Sequence, residues 1–312
     1  MGQSPTSGTE TWTPRYRGID TWSDQAILDA FWEGQARAIA SLRPALPTIA
    51  AAANALAERL NKGGRLIYVG AGASGFLAAG DAMEIGPTFG WPDERIVVLL
   101  AGGHEMKPGL KGDVEDHDDR GRAETEALKL NAQDAMIAVA ASGTTRYTLA
   151  ALEAAKQARA LTVAIANNPG APMLAAADHA ILLETGAEVI SGSTRMNAGT
   201  AQKATLGLLS SLTMIRLHRI HDGMMVDMRV QNAKLRERAM GMLINITGCS
   251  KEEAAEALKR SGDRIKPAAL ILNGVDPKEA DRILETTGGD LRAALSQLGR
   301  SNQPAIKQGS RA

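Results

Sequence analysis

Hydroxyl-bearing side chains gather at three places in this chain, and two glutamates lie between them in sequence. The densest gathering is Glu188–Lys203, EVISGSTRMNAGTAQK, with Ser191, Ser193, Thr194 and Thr200 beside two glycines, Arg195 and Lys203. It leads into the apolar run Ala204–Leu217, which reads as a buried helix. Free backbone N–H groups and the helix dipole at such an approach suit an anion. The same residues could equally form a long polar loop that caps a helix. A second gathering, Ser142-Gly143-Thr144-Thr145, follows an apolar run and precedes a helix predicted over Tyr147–Ala158. Its hydroxyls and N–H groups can hold a phosphate, or Ser142 or Thr144 can simply cap the helix. The third, Gly70-Ala-Gly72-Ala-Ser74-Gly75, is formally G-x-G-x-x-G. A dinucleotide site would need an acidic residue about 20 positions on, closing the second strand. That strand ends instead in Leu100-Ala101. No G-x-x-x-x-G-K-[ST] follows any strand, which disfavours a nucleotide triphosphatase. Three hydroxyl-rich loops together favour a small phosphorylated metabolite over any ligand that one loop alone would suggest.

Glu84 and Glu115 are the carboxylates that could work on such a ligand. Glu84 lies in Asp81-Ala-Met-Glu84-Ile-Gly-Pro. Its neighbours Met83, Ile85 and Pro87 predict partial burial, which would keep the carboxyl protonated as an acid. Glu115 lies among Asp113, Asp116, Asp118 and Asp119. Composition makes this a solvated acidic loop, with a catalytic role left open. His104, His117, His179, His218 and His221 are dispersed, with no H-E-x-x-H or comparable spacing, so no metal is expected. The single cysteine, Cys249, excludes an internal disulfide and agrees with a reducing cytoplasm. Thirty-five basic side chains balance 35 acidic ones, so nothing global argues for nucleic acid or an anionic membrane. No apolar run approaches the ~20 residues that span a bilayer, and the N-terminus lacks a secretory pattern.

The elements that must position these groups follow from the hydrophobic pattern. Residues 1–22 are polar and turn-rich and read as an extended arm. Helical spacing over 24–42 and 47–60 places N-terminal helices in 23–62. Arg65–Val69, Arg95–Leu100, Ala135–Ala141, Leu161–Ala166 and His179–Leu183 are short, continuous apolar runs separated by segments able to hold a helix or a loop. Runs without alternation suit strands buried on both faces of a parallel sheet. The expected fold is therefore a doubly wound α/β domain over 63–240, with a mainly parallel five-stranded sheet flanked by helices. After Gly241 no strand-like run returns. The capping box Ser250–Glu253, the Asp276-Pro277-Lys-Glu279 start and Asp290 predict about three helices in a small domain over 241–300. Residues 301–312 read as a frayed tail.

Taken together, GGRLIYVGAGASG, DAMEIGPTFGWP, LLAGG, AASGTT, IANNPGAP, EVISGSTRMNAGTAQK, MMVDM and TGCSKEEAAEAL resemble, in order and spacing, the N-acetylmuramic acid 6-phosphate etherases. These are a branch of the sugar isomerase (SIS) domain proteins. The resemblance covers nearly the whole chain. It implies cofactor-independent cleavage of the D-lactyl ether of N-acetylmuramic acid 6-phosphate, giving N-acetylglucosamine 6-phosphate and D-lactate. The implied route is syn elimination followed by hydration, in the recycling of cell-wall sugars. It places the family's acid on Glu84 and its base on Glu115. Ser142, Gly143, Thr144 and Thr145 would hold the 6-phosphate. Gly72, Ser74, Gly75, Glu188, Ser191, Ser193, Thr194 and Lys203 would line the sugar. The family is homodimeric and cytoplasmic, with sites near the subunit interface, so the N-terminal helices are expected to serve dimerisation.

Several positions depart from the family's pattern. Ala73 and Phe76 stand where Thr and Arg are usual, Met83 replaces a Ser, and Ile85-Gly86 replaces Cys-Pro. Thr144 replaces an Arg and Asn197 a Lys. Loss of cations beside a phosphate weakens anion recognition, at roughly 1.5–3 kcal/mol for each charged hydrogen bond. Two other functions fit the same scaffold: an isomerase or lyase of a different sugar phosphate, and a sugar-phosphate sensor like the glucokinase regulatory proteins. A sensor needs neither Glu84 nor Glu115, yet both are present.

Overall fold

The computed structural model describes residues 8–103 and 112–301. His104 and all but the first residue of the expected tail lie outside that range. The chain divides into two compact units. The first comprises residues 1–84 and 92–213, and the second 85–91 and 214–312. This division differs from the one read at 240/241.

All five apolar runs form strands: β1 (Leu66–Gly70), β2 (Ile96–Leu100), β3 (Ala135–Val139), β4 (Leu161–Ala166) and β5 (His179–Leu182). They make one sheet of order β2-β1-β3-β4-β5, and every neighbouring pair is parallel. The central strands β1, β3 and β4 are buried along their whole length, which is why their sequences show no alternation.

Helices cover both faces. On one, Tyr147, Ala151, Leu152 and Ala155 of α5 (Arg146–Gln157) pack with Ile67, Val69, Met136 and Ala164 of the sheet. The remaining first-unit helices are α1 (Asp24–Ala40), α2 (Leu46–Asn61), α3 (Gly72–Phe89), α4 (Asp118–Ala127), α6 (Pro172–Ala176) and α7 (Asn197–Arg216). The unit boundary cuts α3 after Glu84 and α7 after Thr213. Within the first unit, Thr213 of α7 donates to the Ala53 carbonyl of α2. Asp81 of α3 bonds Tyr68 of β1 and Ser210 of α7.

Residues 8–22 are not extended. They form three short 3-10 turns, Gly8–Glu10, Pro14–Tyr16 and Ile19–Thr21. Partners distant in sequence cause this. The Thr9 N–H donates to Asn168 Oδ1 at 3.2 Å and Asn168 Nδ2 returns a bond to Thr9 Oγ1 at 3.0 Å. Tyr16 is buried with Ala30 and Val189.

The second unit contains α8 (Ala233–Thr247), α9 (Lys251–Arg260), α10 (Ile265–Leu272), α11 (Pro277–Thr286) and α12 (Leu291–Ser301), more helices than the three expected. The predicted caps form: Ser250 and Glu253 exchange both bonds of a capping box, and Asp276 accepts from Lys278 and Glu279. The two helices left out of that expectation lack such signals at their starts within the domain as read. One, α10, has no side-chain cap, and α8 begins before residue 241. Inside this unit the buried Lys266 donates from Nζ to Oδ2 of the half-buried Asp227 at 2.5 Å.

Candidate active site

Each hydroxyl-rich segment sits beyond the carboxyl end of the sheet, where open α/β folds bind ligands. The loops after β1 and β3 are neighbours there because those strands pair directly. Directly after β1, Gly72 opens α3 with φ +54°. A Cβ on it would stand 2.6 Å from Glu115 Oε1. The glycine therefore serves two needs at once: a left-handed backbone and room for a carboxylate. Gly75, one turn on, lies close enough to Gly70 that a Cβ would meet its backbone at 2.8 Å. Ser74, between them, is half-buried.

Glu115 lies in the turn Gly112–Asp116 and is half-buried, unlike its exposed neighbours Asp113 and Asp116. Burial, and then the charge of Asp116, push its carboxyl above the usual carboxylate range. The solvated-loop reading fails for Glu115 because its carboxylate folds back against the start of α3.

The expectation of a partly buried Glu84 is not met: both Met83 and Glu84 are exposed in this chain. The turn of α3 that carries them buries Ala82 and Ile85 instead. Burial raises the carboxyl pKa of Asp81, one turn earlier, while the Tyr68 and Ser210 hydroxyls and then the Lys203 ammonium pull it down and the Glu84 carboxylate adds slightly to the rise. Glu84 and Lys203 therefore act electrostatically on one buried group.

At the end of β3, Gly143 takes φ +66°, and a Cβ there would lie 2.5 Å from Ala171 Cβ. This fixes the tight turn into α5. The Ser142 hydroxyl accepts from the Thr144 N–H at 3.2 Å and lies 3.4 Å from Thr145 Oγ1. Thr145 occupies the N-cap position without a side-chain bond to the helix. Thr145, rather than the expected Ser142 or Thr144, takes the N-cap position and makes no side-chain cap bond, an arrangement that suits an anion at the helix start.

The segment Glu188–Lys203 is half turn and half helix, for α7 begins at Asn197. Glu188 is 1% exposed, and its two oxygens accept from the N–H groups of Asn197 (2.8 Å) and Ala198 (2.9 Å). It caps α7 rather than lining a sugar. Burial raises its carboxyl pKa, while those two N–H bonds pull the other way. Ser191 Oγ donates to the Glu10 carbonyl at 3.2 Å, and Ser193 and Thr194 remain half-buried nearby in the turn. Lys203 is exposed on α7. Asn197 is wholly buried and accepts from Gln35 Nε2 at 3.3 Å. Its side chain fills the space over Gly34, where a Cβ would come within 2.6 Å of Asn197 Oδ1. Asn197 therefore packs against α1, so its departure from the family's Lys carries no sign of a lost ligand contact.

Sequence reasoning missed Glu10, whose carboxylate would meet a Cβ on Gly192 at 3.1 Å. No local signal marks it, since its place depends on the Thr9–Asn168 pairing. It also missed the polar partners of Asp81, which come from β1 and α7.

A SIS domain matches residues 115–212, and the C-terminal lid domain of glucokinase regulatory protein matches 222–284. A protein of Deinococcus radiodurans named N-acetylmuramic acid 6-phosphate etherase is 45% identical over 291 residues, covering 93% of this chain and 95% of that one. Proteins of the same name from Rubrobacter xylanophilus and Streptomyces coelicolor are each 41% identical, over 93% and 94% of this chain and 96% and 95% of their own lengths. With this likeness along nearly its whole length, the chain belongs to the N-acetylmuramic acid 6-phosphate etherase family.

Proposed function

We propose that this protein cleaves the D-lactyl ether of N-acetylmuramic acid 6-phosphate. The observation that carries the reading is the Glu115 carboxylate, held against Gly72 at the sheet's carboxyl edge with its pKa raised. A carboxylate so placed can take a carbon-bound proton beside a phosphate-binding loop. The substrate opens to its C1 aldehyde, which acidifies the C2–H bond. Glu115 removes that proton, and the electron pair forms the C2–C3 double bond as the C3–O bond to lactate breaks. Glu84 gives its proton to the departing oxygen. Water then adds across the double bond, its hydroxyl to C3 and a proton to C2, giving N-acetylglucosamine 6-phosphate. Thr144 and Thr145 meet the 6-phosphate at the start of α5, and Ser74, Ser193, Thr194 and Lys203 surround the sugar.

Incubation with N-acetylmuramic acid 6-phosphate is expected to release D-lactate in equal amount to N-acetylglucosamine 6-phosphate. No lactate at high enzyme concentration would sink this reading.

The family resemblance further supports a homodimer acting in the cytoplasm, in recycling of peptidoglycan sugars. Leu28, Trp32 and Ile39 are 61%, 71% and 51% exposed on one stripe of α1. An apolar stripe of this kind marks an association surface. No helix among the described residues is long and apolar enough to cross a membrane.

A further inference from the structure

One buried side chain beside the β3–α5 loop has no part in the proposed chemistry. Asn168, 5% exposed, lies in the connection between β4 and α6. Its amide is engaged at every end. Nδ2 donates to the Ala141 carbonyl at 2.9 Å and to Thr9 Oγ1 at 3.0 Å. Oδ1 accepts from the Thr9 N–H at 3.2 Å. Ala141 directly precedes Ser142, and its carbonyl also accepts from the Asn167 N–H at 3.0 Å. Two residues on, the Gly143 carbonyl accepts from the Met173 N–H at 3.2 Å. The β4–α6 connection and the start of α6 therefore engage both carbonyls that flank Ser142. This bears on an anion, because a carbonyl oxygen repels phosphate whereas N–H and hydroxyl groups attract it.

The other partner of the amide, Thr9, is wholly buried in the turn Gly8–Glu10. Its neighbour Glu10 accepts on its carbonyl from Ser191 Oγ at 3.2 Å, and the Glu10 carboxylate lies against Gly192. One short turn thus joins Asn168 to the segment that carries Ser193 and Thr194.

We propose that Asn168 is a positioning residue for the 6-phosphate, and that the Gly8–Glu10 turn holds it in its working orientation. Asn168 keeps the Ala141 carbonyl on the β4 side, so the loop meets the phosphate with its hydroxyls and N–H groups. Thr9 fixes which end of the amide faces Ala141. Through Glu10 and Ser191, the same turn keeps the sugar-lining segment in register with the phosphate loop. The idea rests on Ser142–Thr145 holding the phosphate in the reaction proposed above.

Calorimetric binding of N-acetylglucosamine 6-phosphate reads this without turnover. Asn168→Ala removes the donors to loop and arm together, and should weaken binding about tenfold. Asn168→Asp keeps the shape but offers acceptors only, so it should bind no better than Asn168→Ala. In turnover, KM should rise by the same factor with kcat within about threefold. A purely structural Asn168 would lower Tm in both variants with Kd unchanged, or would let the isosteric Asp restore Kd. Either result overturns the proposal. Should the Asn168 variants fail to fold, Thr9→Val serves. It keeps the size and the backbone N–H, removes the Oγ1 acceptor, and should weaken binding about threefold. An unchanged Kd there also overturns it. If the wild type binds the sugar phosphate but releases no lactate, the etherase reading fails, while the Kd values still decide the role of Asn168. A wild type that does not bind the sugar phosphate overturns both.

Discussion

In the proposed reaction, the Glu115 carboxylate must be ionised before it can take the C2 proton. Burial, and then Asp116, raise its pKa, so its working form is lost at a higher pH than for an ordinary glutamate. The acidic limb of kcat/KM should therefore lie above about 4.3, the value for a free glutamate, with activity falling as pH drops through it. Glu115→Gln removes the base while keeping the shape. C2–H exchange in deuterated water should fall by about 10²–10⁴-fold, the usual contribution of such a base. Exchange at the wild-type rate would remove Glu115 from that role. The nearby acidic residues Asp113 and Asp116 gave no hint of this in sequence, since both are exposed and only Glu115 turns inward. Composition describes a segment's average, whereas the contact with Gly72 singles out one side chain. Asn197 makes the opposite point. It stands where the family's Lys is usual, yet it is buried against Gln35 and Gly34 of α1. Its effect lies in packing between α1 and α7.

At the scale of elements, α7 depends on a cap nine residues before its first residue. Glu188 places a carboxylate on two N–H groups at the positive end of a 20-residue helix. Glu188→Gln leaves one acceptor oxygen for two donors and removes the charge. The expected loss is about 1–2 kcal/mol, read as a lower Tm with an unchanged far-UV spectrum. An unchanged Tm would show that the cap contributes nothing. This element also explains why the Glu188–Lys203 segment was ambiguous in sequence. The cap reading holds for Glu188, and the anion-site reading belongs to the proposed function of the turn that follows it. Glu188 caps, while Ser193 and Thr194 stay in the turn before the helix. The caps of α9 and α11 were legible because acceptor and donors lie within three residues. The cap of α7 was not, because its acceptor is separated from the helix by a loop.

At the scale of the whole molecule, the apolar stripe on α1 bears on assembly. Trp32→Glu puts a charge in its middle, and a dimer built on this face should become a monomer by light scattering. A dimer that persists would place the interface elsewhere. The exposed Met83, 74% accessible beside Glu84, is a second position that a partner could cover. The parallel sheet, its five strands and the caps of α9, α11 and α12 were determined by the sequence itself. Continuous apolar runs and short-range hydrogen bonds are encoded within a few residues, and they survive without knowledge of the rest. The family signature was legible for the same reason. Only the tertiary structure decided that Glu115 is partly buried and Glu84 exposed, that residues 8–22 fold into turns on Asn168, and that Tyr68 and Ser210 meet at Asp81. Burial and charge state depend on groups far apart in the chain, and no local pattern of residues records that distance.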